Sequence, residues 1–333
     1  FIRKCYQGVC RKVFWKNMVG FALNDAVVGR VKKKMAGLAG NQSDVEHWKK
    51  RINQDPKHLR LMFDQRWEAN GHKDYFMGGR DGMLMTTAFW SMRSPHFPRD
   101  YAERMIHSWA LNKERGFFGE FFPLAMSKKS MQVFYSADDQ AFGYTPDTAY
   151  FTLDGMFCQG FPKIASDLTL NHLENYNYHE GWGIPVAPEA YRRDLALFGD
   201  QYSNFNAGKI LLFIEGLAGI SYSIPDNIFH VKDSMPMSWD WMEFDIPIGN
   251  EKGWTQVRYQ RKKGFLGGQK KSITVTNCPL RVKFEPWLDQ GQLSGDPDLT
   301  GANFIEQNST HPNYVSFLAE QKSSKSSITL SFK

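Results

Sequence analysis

The sequence predicts a mainly α-helical fold, an α/α toroid followed by a small antiparallel β domain. Two observations indicate the toroid: apolar helices recur at intervals of about 60 residues, and amphipathic helices lie between them. A third observation indicates the β domain, because beyond Ile220 apolar and polar residues alternate with the two-residue period of half-buried strands. The chain has 333 residues, of which 42% are hydrophobic, and is therefore large and apolar enough to form both.

Three segments carry apolar residues on nearly every side of a helix and are predicted to be buried inner helices. They cover residues 80–93, 145–160 and 206–220. In the last of them only Lys209 and Glu215 interrupt the apolar residues, and the segment is too short for a membrane span, which needs roughly 20 apolar residues. One period further back, residues 17–37 are predicted to form another inner helix.

Amphipathic segments between the inner helices are predicted to form an outer layer. Residues 99–113 place Tyr101, Met105 and Trp109 on one stripe, and residues 162–178 begin with a proline in the first turn. Counted in this way, the chain holds about three and a half helical hairpins. A closed six-hairpin barrel would need more chain upstream, so we expect a toroid that is truncated at its N-terminus.

The change of period defines the domain boundaries. Residues 1–220 are predicted to form the partial toroid of catalytic type, and residues 221–290 the C-terminal β domain. Residues 291–333 are rich in Ser, Gly and Asp and are expected to be a loosely ordered tail in which "SSITLSF" can form a final strand. The strands of the β domain are predicted in "FHV", "SWDWMEFDIPI", "TQVRYQR", "SITVT" and "LRVKFE".

Composition and short motifs restrict the possible binding partners and the cellular compartment. Lys and Arg (41) nearly balance Asp and Glu (35), so the net charge of +6 does not predict nucleic-acid binding. The four cysteines show neither zinc spacing nor a dense disulfide framework, Cys158 is expected to be a buried thiol, and no metal or other cofactor is predicted. Glycosylation triplets at Asn41 and Asn308 fit a secreted protein or one of the secretory pathway. Because the chain begins with Phe1, the lack of a signal peptide says nothing about the compartment.

The candidate site follows from the toroid, in which the loops that precede the inner helices open at one end of the barrel. Three long loops, residues 69–79, 114–144 and 179–205, are therefore predicted to converge. They mix aromatic side chains, which stack on sugar rings, with polar groups for hydroxyls and with carboxylates for acid and base work on a glycosidic bond. The candidate sugar-binding residues are Asp74, Arg80, Glu120, Asp139, Tyr144, Trp182, Tyr202 and Asn204.

Structural roles compete with several of these assignments. Asn204 can cap the last inner helix, and Asp139 can form a turn. Glu189 can lie on a short solvated helix, and Trp182 and Tyr202 can be packing residues. The sugar-site hypothesis therefore depends on the convergence of the three loops rather than on any single residue.

The junction "NAGKILLFIEGLAGISYSIPDNIFHVKDSMPMSWDWMEFDIPI" resembles that of six-hairpin glycosidase-like enzymes. In those enzymes the last inner helix ends in a "GL.GI" turn and leads through "L.V…LP..W" into a C-terminal β domain. The nearest likeness is to the family 65 type of glycoside hydrolases and disaccharide phosphorylases, and it covers about residues 145–250. The matching residues are Ala207, Gly208, Glu215, Gly216, Leu217, Gly219, Ile220, Val231, Pro236 and Trp239.

This resemblance implies a carbohydrate-active enzyme that hydrolyses a glycosidic bond of a di- or oligosaccharide with inversion. Hydrolases of this type place the general base before the last inner helix, which implies Glu189 as first choice and Asp200 as second. Their general acid lies before the sixth inner helix, which by counting back from the last one would start near residue 18, so the resemblance implies an acid at or upstream of residue 1. No Asp or Glu precedes Asp25, so the acid is expected either in the missing upstream part or to be absent altogether. The related phosphorylases use phosphate instead of a base, so the carboxylates of the last loop favour hydrolysis.

Two alternatives stay open at this point. A toroidal polysaccharide lyase would need a Tyr/His pair and a cation that neutralises a uronate, and His72, Tyr75 and Arg80 offer these groups. A noncatalytic glycan-binding or extracellular matrix protein, descended from such enzymes, would not need a general acid. Each hypothesis expects a carbohydrate partner, no nucleic acid and no membrane span, and none defines an oligomeric state.

Overall fold

A computed structural model defines two units of the chain. Unit 1 comprises Phe1–Gln159 and Pro188–Tyr202, and unit 2 comprises Gly160–Ala187 and Ser203–Lys333. The two units are described separately below. The described residues are 35–37, 39–52, 60–61, 63–64, 67, 84, 86–94, 97–133, 143–176, 188–192, 195, 197–201, 203–250, 253–263, 269–286, 297–311, 314–321 and 327–332.

Unit 1 is built mainly from short helices. Pro146 begins one of them directly after Thr145, whose extended backbone (φ −131°, ψ 135°) is that of a helix N-cap residue. The described part of the unit also contains a two-stranded antiparallel sheet, formed by β1 (Pro188–Tyr191) and β2 (Leu197–Gln201). The helices are α1 (Gln42–Ile52), a 3-10 helix (Thr86–Arg93), α2 (Arg99–Met105) with a π-helical turn (Ile106–Ala110), α3 (Lys128–Val133) and α4 (Pro146–Cys158).

The core of unit 1 is aromatic. Trp109 and Phe117 are fully buried, and Phe89 packs edge to face on Phe117 with ring centroids 5.6 Å apart. The Gln159 amide donates hydrogen bonds to the carbonyls of Met92 (2.7 Å) and Ser94 (2.9 Å). These bonds tie the end of α4 to the end of the 3-10 helix.

In its described residues, unit 2 combines two helices with two five-stranded sheets. The strand orders are β10-β11-β8-β4-β3 and β5-β6-β7-β12-β9, and the β4–β8 pair is parallel whereas the other pairs are antiparallel. The helices are α5 (Pro162–Tyr176) and α6 (Ser203–Leu211), the latter continued by a π-helical turn (Leu212–Leu217). The strands are β3 (Ile220–Ser223), β4 (Ile228–Lys232), β5 (Trp241–Asn250), β6 (Gly253–Lys263), β7 (Gln269–Thr276), β8 (Arg281–Glu285), β9 (Asp298–Thr300), β10 (Ala302–His311), β11 (Tyr314–Gln321) and β12 (Ser327–Phe332).

The two sheets of unit 2 share one hydrophobic core. Alternate residues of the strands point inward, so that Phe229 and Phe284 of one sheet and Val257 and Leu330 of the other belong to the same buried cluster. This arrangement is a β-sandwich, in which the inner faces of two sheets interdigitate. Burial of this continuous apolar layer is the main stabilising term of the unit.

The prediction of an α/α toroid is wrong. The described residues are 40% helical and 34% strand, and apart from the β1–β2 pair their strands form two antiparallel or mixed sheets. The helices predicted at 99–113, 145–160 and 162–178 are present as α2 with its π-helical turn, α4 and α5. Hydrophobic periodicity identifies local helices but does not determine how they assemble, and a spacing of about 60 residues between helices does not require that a ring closes.

Two expectations about burial are also wrong. The helix predicted at 206–220 was expected to be buried on all sides, yet the side chains of Ile210 and Phe213 are 58% and 39% exposed. Cys158, at the end of α4, has an exposed thiol rather than a buried one. Both expectations were drawn from the apolar composition of the helices alone, which does not determine which positions the rest of the fold covers.

Several segments differ in detail from their predicted structure. Beyond residue 290, β9 to β12 add to the two sheets where a loosely ordered tail was expected, and β12 covers most of "SSITLSF". The segment 179–205, which was predicted to be a loop, contains β1 and β2. Most of the helix predicted at 17–37 lies outside the described residues. Across the described part of the chain, every helix falls short of the length and apolar content that a bilayer crossing requires.

Candidate functional site

Unit 1 contains a cleft with a volume of about 530 Å³. Its apolar lining residues are Leu124 and Met131, both of which are buried. The volume lies within the range of small-molecule binding sites, which combine apolar walls with a few polar groups that orient the ligand. The polar lining consists of Glu114, Glu120, Lys128, Gln132 and Tyr144.

Glu114 lies in a turn that the preceding asparagine fixes. Asn112 Oδ1 accepts hydrogen bonds from the backbone N–H groups of Glu114 (3.1 Å) and Arg115 (3.0 Å), as in an Asx turn. The Arg115 guanidinium lies 4.4 Å from the centroid of the buried Trp109 ring, which anchors the turn to the core. The backbone from which the Glu114 carboxylate projects is therefore held in place.

Glu120 and Tyr144 are joined directly. The backbone N–H of Glu120 donates a hydrogen bond to Tyr144 Oη (2.8 Å), and the Tyr144 ring stacks on Phe121 with centroids 3.9 Å apart. Gly119 makes this approach possible, because a Cβ at that position would lie 1.9 Å from Tyr144 Oη. The sequence therefore needs a glycine before Glu120 if the tyrosine hydroxyl is to reach the cleft.

The backbone of Tyr144 connects the cleft to strand β1. Tyr144 N–H donates to the Tyr191 carbonyl (2.8 Å), and Tyr191 N–H donates to the Tyr144 carbonyl (2.9 Å). A Cβ on Gly143 would lie 1.7 Å from the Tyr191 carbonyl oxygen, so this bridge also requires a glycine. Burial raises the pKa of Tyr191 to about 12, so its phenol is neutral at physiological pH. Segments of two predicted loops, 114–144 and 179–205, thus meet at this bridge.

The remaining polar groups come from α3. Ser127 Oγ accepts a hydrogen bond from the backbone N–H of Ser130 (3.1 Å), which caps the first turn of this helix. Lys128 and Gln132 are four residues apart and therefore lie on the same helix face. The Lys128 ammonium donates to the Lys113 carbonyl (2.7 Å), which fixes its position.

The charges of the cleft restrict its ligands. The described lining contains two carboxylates and one ammonium group and therefore has a net negative charge. An anionic ligand such as phosphate or a uronate would be repelled, whereas a neutral ligand with many hydroxyl groups would find both donors and acceptors. The carboxylates can also transfer protons to and from a bound substrate.

The predicted site residues divide into four groups. Glu120 and Tyr144 line the cleft together. Glu189 in β1 and Asp200 in β2 are close neighbours, because the β1–β2 pairing places Pro188 opposite Gln201 and Ala190 opposite Phe198. Asn204 lies in α6 of unit 2. The other predicted residues, Asp74, Arg80, Asp139, Trp182 and Tyr202, lie outside the described residues, as do His72 and Tyr75 of the lyase hypothesis.

Sequence reasoning missed three residues of the cleft, namely Glu114, Lys128 and Gln132. All three lie in the loop 114–144 that was singled out, but this loop was treated as structureless. The signal that could have identified them is the Ser-Lys-Lys-Ser start of a short helix, which places residues 128 and 132 on one face.

Comparison with protein-family models found no match, and comparison with curated proteins found none either. The likeness to family 65 enzymes therefore stays a prediction. Among the residues that the structure describes, no group of three or more His, Cys, Asp and Glu side chains could hold a metal ion. The function is accordingly argued from the cleft and its own side chains.

Proposed function

We propose that the protein is a carbohydrate-active enzyme that hydrolyses a glycosidic bond of a di- or oligosaccharide bound in the cleft of unit 1. The observation that supports this proposal is the presence of two carboxylates, Glu114 and Glu120, in one cleft. The cleft also offers the Gln132 amide as a hydrogen-bonding group, and the buried Tyr144 hydroxyl holds the backbone of Glu120. Paired carboxylates around a bound sugar are the groups that glycoside hydrolysis requires.

Binding would use the two kinds of wall. The apolar side of a sugar ring would lie against Leu124 and Met131, and its hydroxyls would bond the polar groups opposite, among them the Gln132 amide. The amide both donates and accepts hydrogen bonds, which suits hydroxyl groups that do the same. The net negative charge of the lining favours a neutral sugar over a uronate or a sugar phosphate.

Catalysis would divide between the two carboxyl groups. One, in its protonated form, donates its proton to the glycosidic oxygen as the C–O bond to the anomeric carbon breaks. The other removes a proton from the water that attacks the anomeric carbon from the opposite side, which gives the inverted configuration implied by the resemblance. Glu189 and Asp200 remain candidates for the second role, because β1 is hydrogen-bonded to Tyr144.

The experiment compares turnover of α- and β-linked disaccharides, with and without phosphate, by the wild type and by Glu114→Gln, Glu120→Gln, Glu189→Gln and Asp200→Asn variants. Glu103→Gln is the control, because Glu103 is an exposed glutamate of α2. We expect phosphate-independent turnover by the wild type and a loss of about 100-fold or more in Glu114→Gln and Glu120→Gln, since removing a general acid or base typically costs that factor. The control should retain its rate.

The other outcomes are equally informative. Full activity in Glu114→Gln and Glu120→Gln, with loss in Glu189→Gln or Asp200→Asn, would remove the cleft carboxylates from the mechanism. Sugar binding without turnover would identify a noncatalytic glycan-binding protein. Absence of both binding and turnover over the whole panel would contradict the proposal.

A further inference from the structure

The outer face of the sheet β5-β6-β7-β12-β9 in unit 2 presents two exposed tryptophans. Trp241 on β5 and Trp254 on β6 are 61% and 62% exposed. Tryptophan is highly buried on average, and exposed aromatic rings are typical of interaction surfaces. We call this surface the Trp face; it comprises Trp241, Trp254 and the outward-facing residues of the same five strands.

Both rings lie on the same side of the sheet. Trp241 pairs with Gln260 of β6, and Trp254 lies six residues before Gln260 on that strand, so the even spacing places both side chains on one face. The intervening residues Val257 and Tyr259 point into the core, as the alternation requires. Six residues of strand separate the two rings by about 20 Å along the sheet.

Hydrogen-bonding side chains fill the surface between the tryptophans. Gln256 Nε2 donates to Asp245 Oδ1 (2.9 Å), and Arg258 Nε lies 3.5 Å from Glu243 Oε2. Further across the sheet, hydroxyl groups line the neighbouring strands β7 and β12. The strip therefore offers amide, carboxylate, guanidinium and hydroxyl groups on one flat surface.

The charges of the Trp face cancel. Its outward positions carry three acidic and three basic side chains, so no net field attracts a polyanion. A nucleic acid would need an excess of basic groups beside the aromatic rings. A protein partner would favour an apolar centre depleted of charge, whereas here charged pairs lie between the two rings. The charged residues are Glu243, Asp245, Asp298, Arg258, Lys262 and Lys270.

We propose that the Trp face binds an extended, neutral glycan chain of several sugar units. Trp241 and Trp254 stack on sugar rings near the two ends of the bound segment, and the polar strip between them bonds the hydroxyls. This site belongs to unit 2 and does not depend on the chemistry proposed for the cleft of unit 1. Its role is to hold a polymer rather than to cleave it.

The test is calorimetric titration of the full chain carrying Glu114→Gln and Glu120→Gln, so that cleft chemistry does not contribute. The probes are hexasaccharides of β-1,4-glucose, α-1,4-glucose, β-1,4-xylose and β-1,4-mannose. We expect at least one to bind, and Trp241→Ala or Trp254→Ala to weaken its binding at least tenfold, because truncating a tryptophan that anchors a ligand typically costs about this much or more. Trp254→Tyr should retain most of the affinity, since it keeps a flat ring.

The control is Tyr222→Ala, which removes a 54% exposed aromatic side chain from β3 in the other sheet. It should leave the affinity unchanged. The proposal is overturned if no hexasaccharide binds, or if the tryptophan variants bind as tightly as the control. It is also overturned if the tryptophans are needed instead for binding a thymidine oligonucleotide. A failure of disaccharide hydrolysis leaves this result unaffected, so the two proposals fail separately.

Discussion

Unit 2 and unit 1 hold their buried cores in different ways. Unit 2 encloses its core between two regular sheets, in which each strand repeats the same alternation of inward and outward residues. Unit 1 relies on an irregular segment, residues 111–127, that individual hydrogen bonds and close glycine contacts hold in place around the cleft. The difference indicates that bulk apolar burial stabilises the sandwich, whereas single contacts shape the candidate site.

The largest effect is expected from Phe284→Ala in the sandwich. Phe284 is fully buried on β8 between the two sheets, so its truncation removes apolar contacts and leaves a cavity. We expect the free energy of unfolding of unit 2 to fall by about 3–5 kcal/mol. The measurement is urea denaturation followed by far-UV circular dichroism. Tyr222→Ala is the matched exposed control, and an equal loss in both variants would contradict a core role for Phe284.

A second prediction concerns a buried carboxylate of the sandwich. Glu285 Oε1 lies 2.9 Å from Lys283 Nζ and accepts a hydrogen bond from Ser316 Oγ (2.8 Å), and Glu285 Oε2 lies 3.0 Å from His230 Nε2. Burial opposes ionisation of Glu285, but the contact with His230 and the nearby lysines outweigh it and hold the pKa of this carboxyl well below its usual range. Burial lowers the pKa of the His230 imidazole.

In the folded protein the pKa of Glu285 lies below the ordinary glutamate value of 4.5. The ionised carboxylate therefore stabilises the fold fully above pH 4.5, and this stabilisation is lost as the pH falls below that value. Glu285→Gln should therefore cost about 2–3 kcal/mol at pH 7 and much less at pH 2 to 3. Thermal unfolding measured across this pH range checks the prediction. Glu243→Gln, which removes an exposed ion pair with Arg258, should change the stability by less than about 1 kcal/mol at any pH. A pH-independent cost for Glu285→Gln would be inconsistent with the assigned ionisation.

The third prediction concerns the close contact in unit 1. In Gly119→Ala the new methyl group would collide with the Tyr144 hydroxyl, and the Glu120 N–H would lose its acceptor as the ring moves. We expect a loss of about 1–2 kcal/mol in stability, together with weaker sugar binding in the cleft. Gly37→Ala is the control, because its nearest contact would be at an ordinary 3.9 Å.

The two effects of Gly119→Ala can be separated with a double variant. Tyr144→Phe alone should cost about 1 kcal/mol, since it removes the acceptor of the Glu120 N–H. Combined with Gly119→Ala it should cost less than the sum of the single losses, because the colliding oxygen is then absent. Strict additivity of the unfolding free energies would exclude a direct contact between these positions.

Local elements of the fold were predictable from the sequence, whereas their assembly was not. The strands β5 and β8 follow from alternation in "SWDWMEFDIPI" and "LRVKFE", because a two-residue period is a local property that a sheet preserves. The helices α4 and α5 follow from their prolines and their 3.6-residue period. The toroid prediction was wrong, because ring closure depends on contacts between segments far apart in the chain, which a local period does not determine.

The candidate site was predictable only in part. Glu120 and Tyr144 were singled out because they lie in a loop rich in carboxylates and aromatic residues. Their direct contact depends on the absence of a side chain at Gly119, and a single glycine in a loop does not reveal which group approaches it. Glu114 and Gln132 belong to the cleft through a turn and a short helix whose mutual placement has no periodic signature.

The most direct test of the cleft is a crystal structure of the full chain with Glu114→Gln and Glu120→Gln, soaked with the disaccharide that the wild type hydrolyses best. We predict a sugar ring against Leu124 and Met131, with the glycosidic oxygen at hydrogen-bond distance, about 3 Å, from the amide at position 114 or 120. A disaccharide bound elsewhere in unit 1, with the cleft empty, would contradict the assignment of this cleft as the site of hydrolysis.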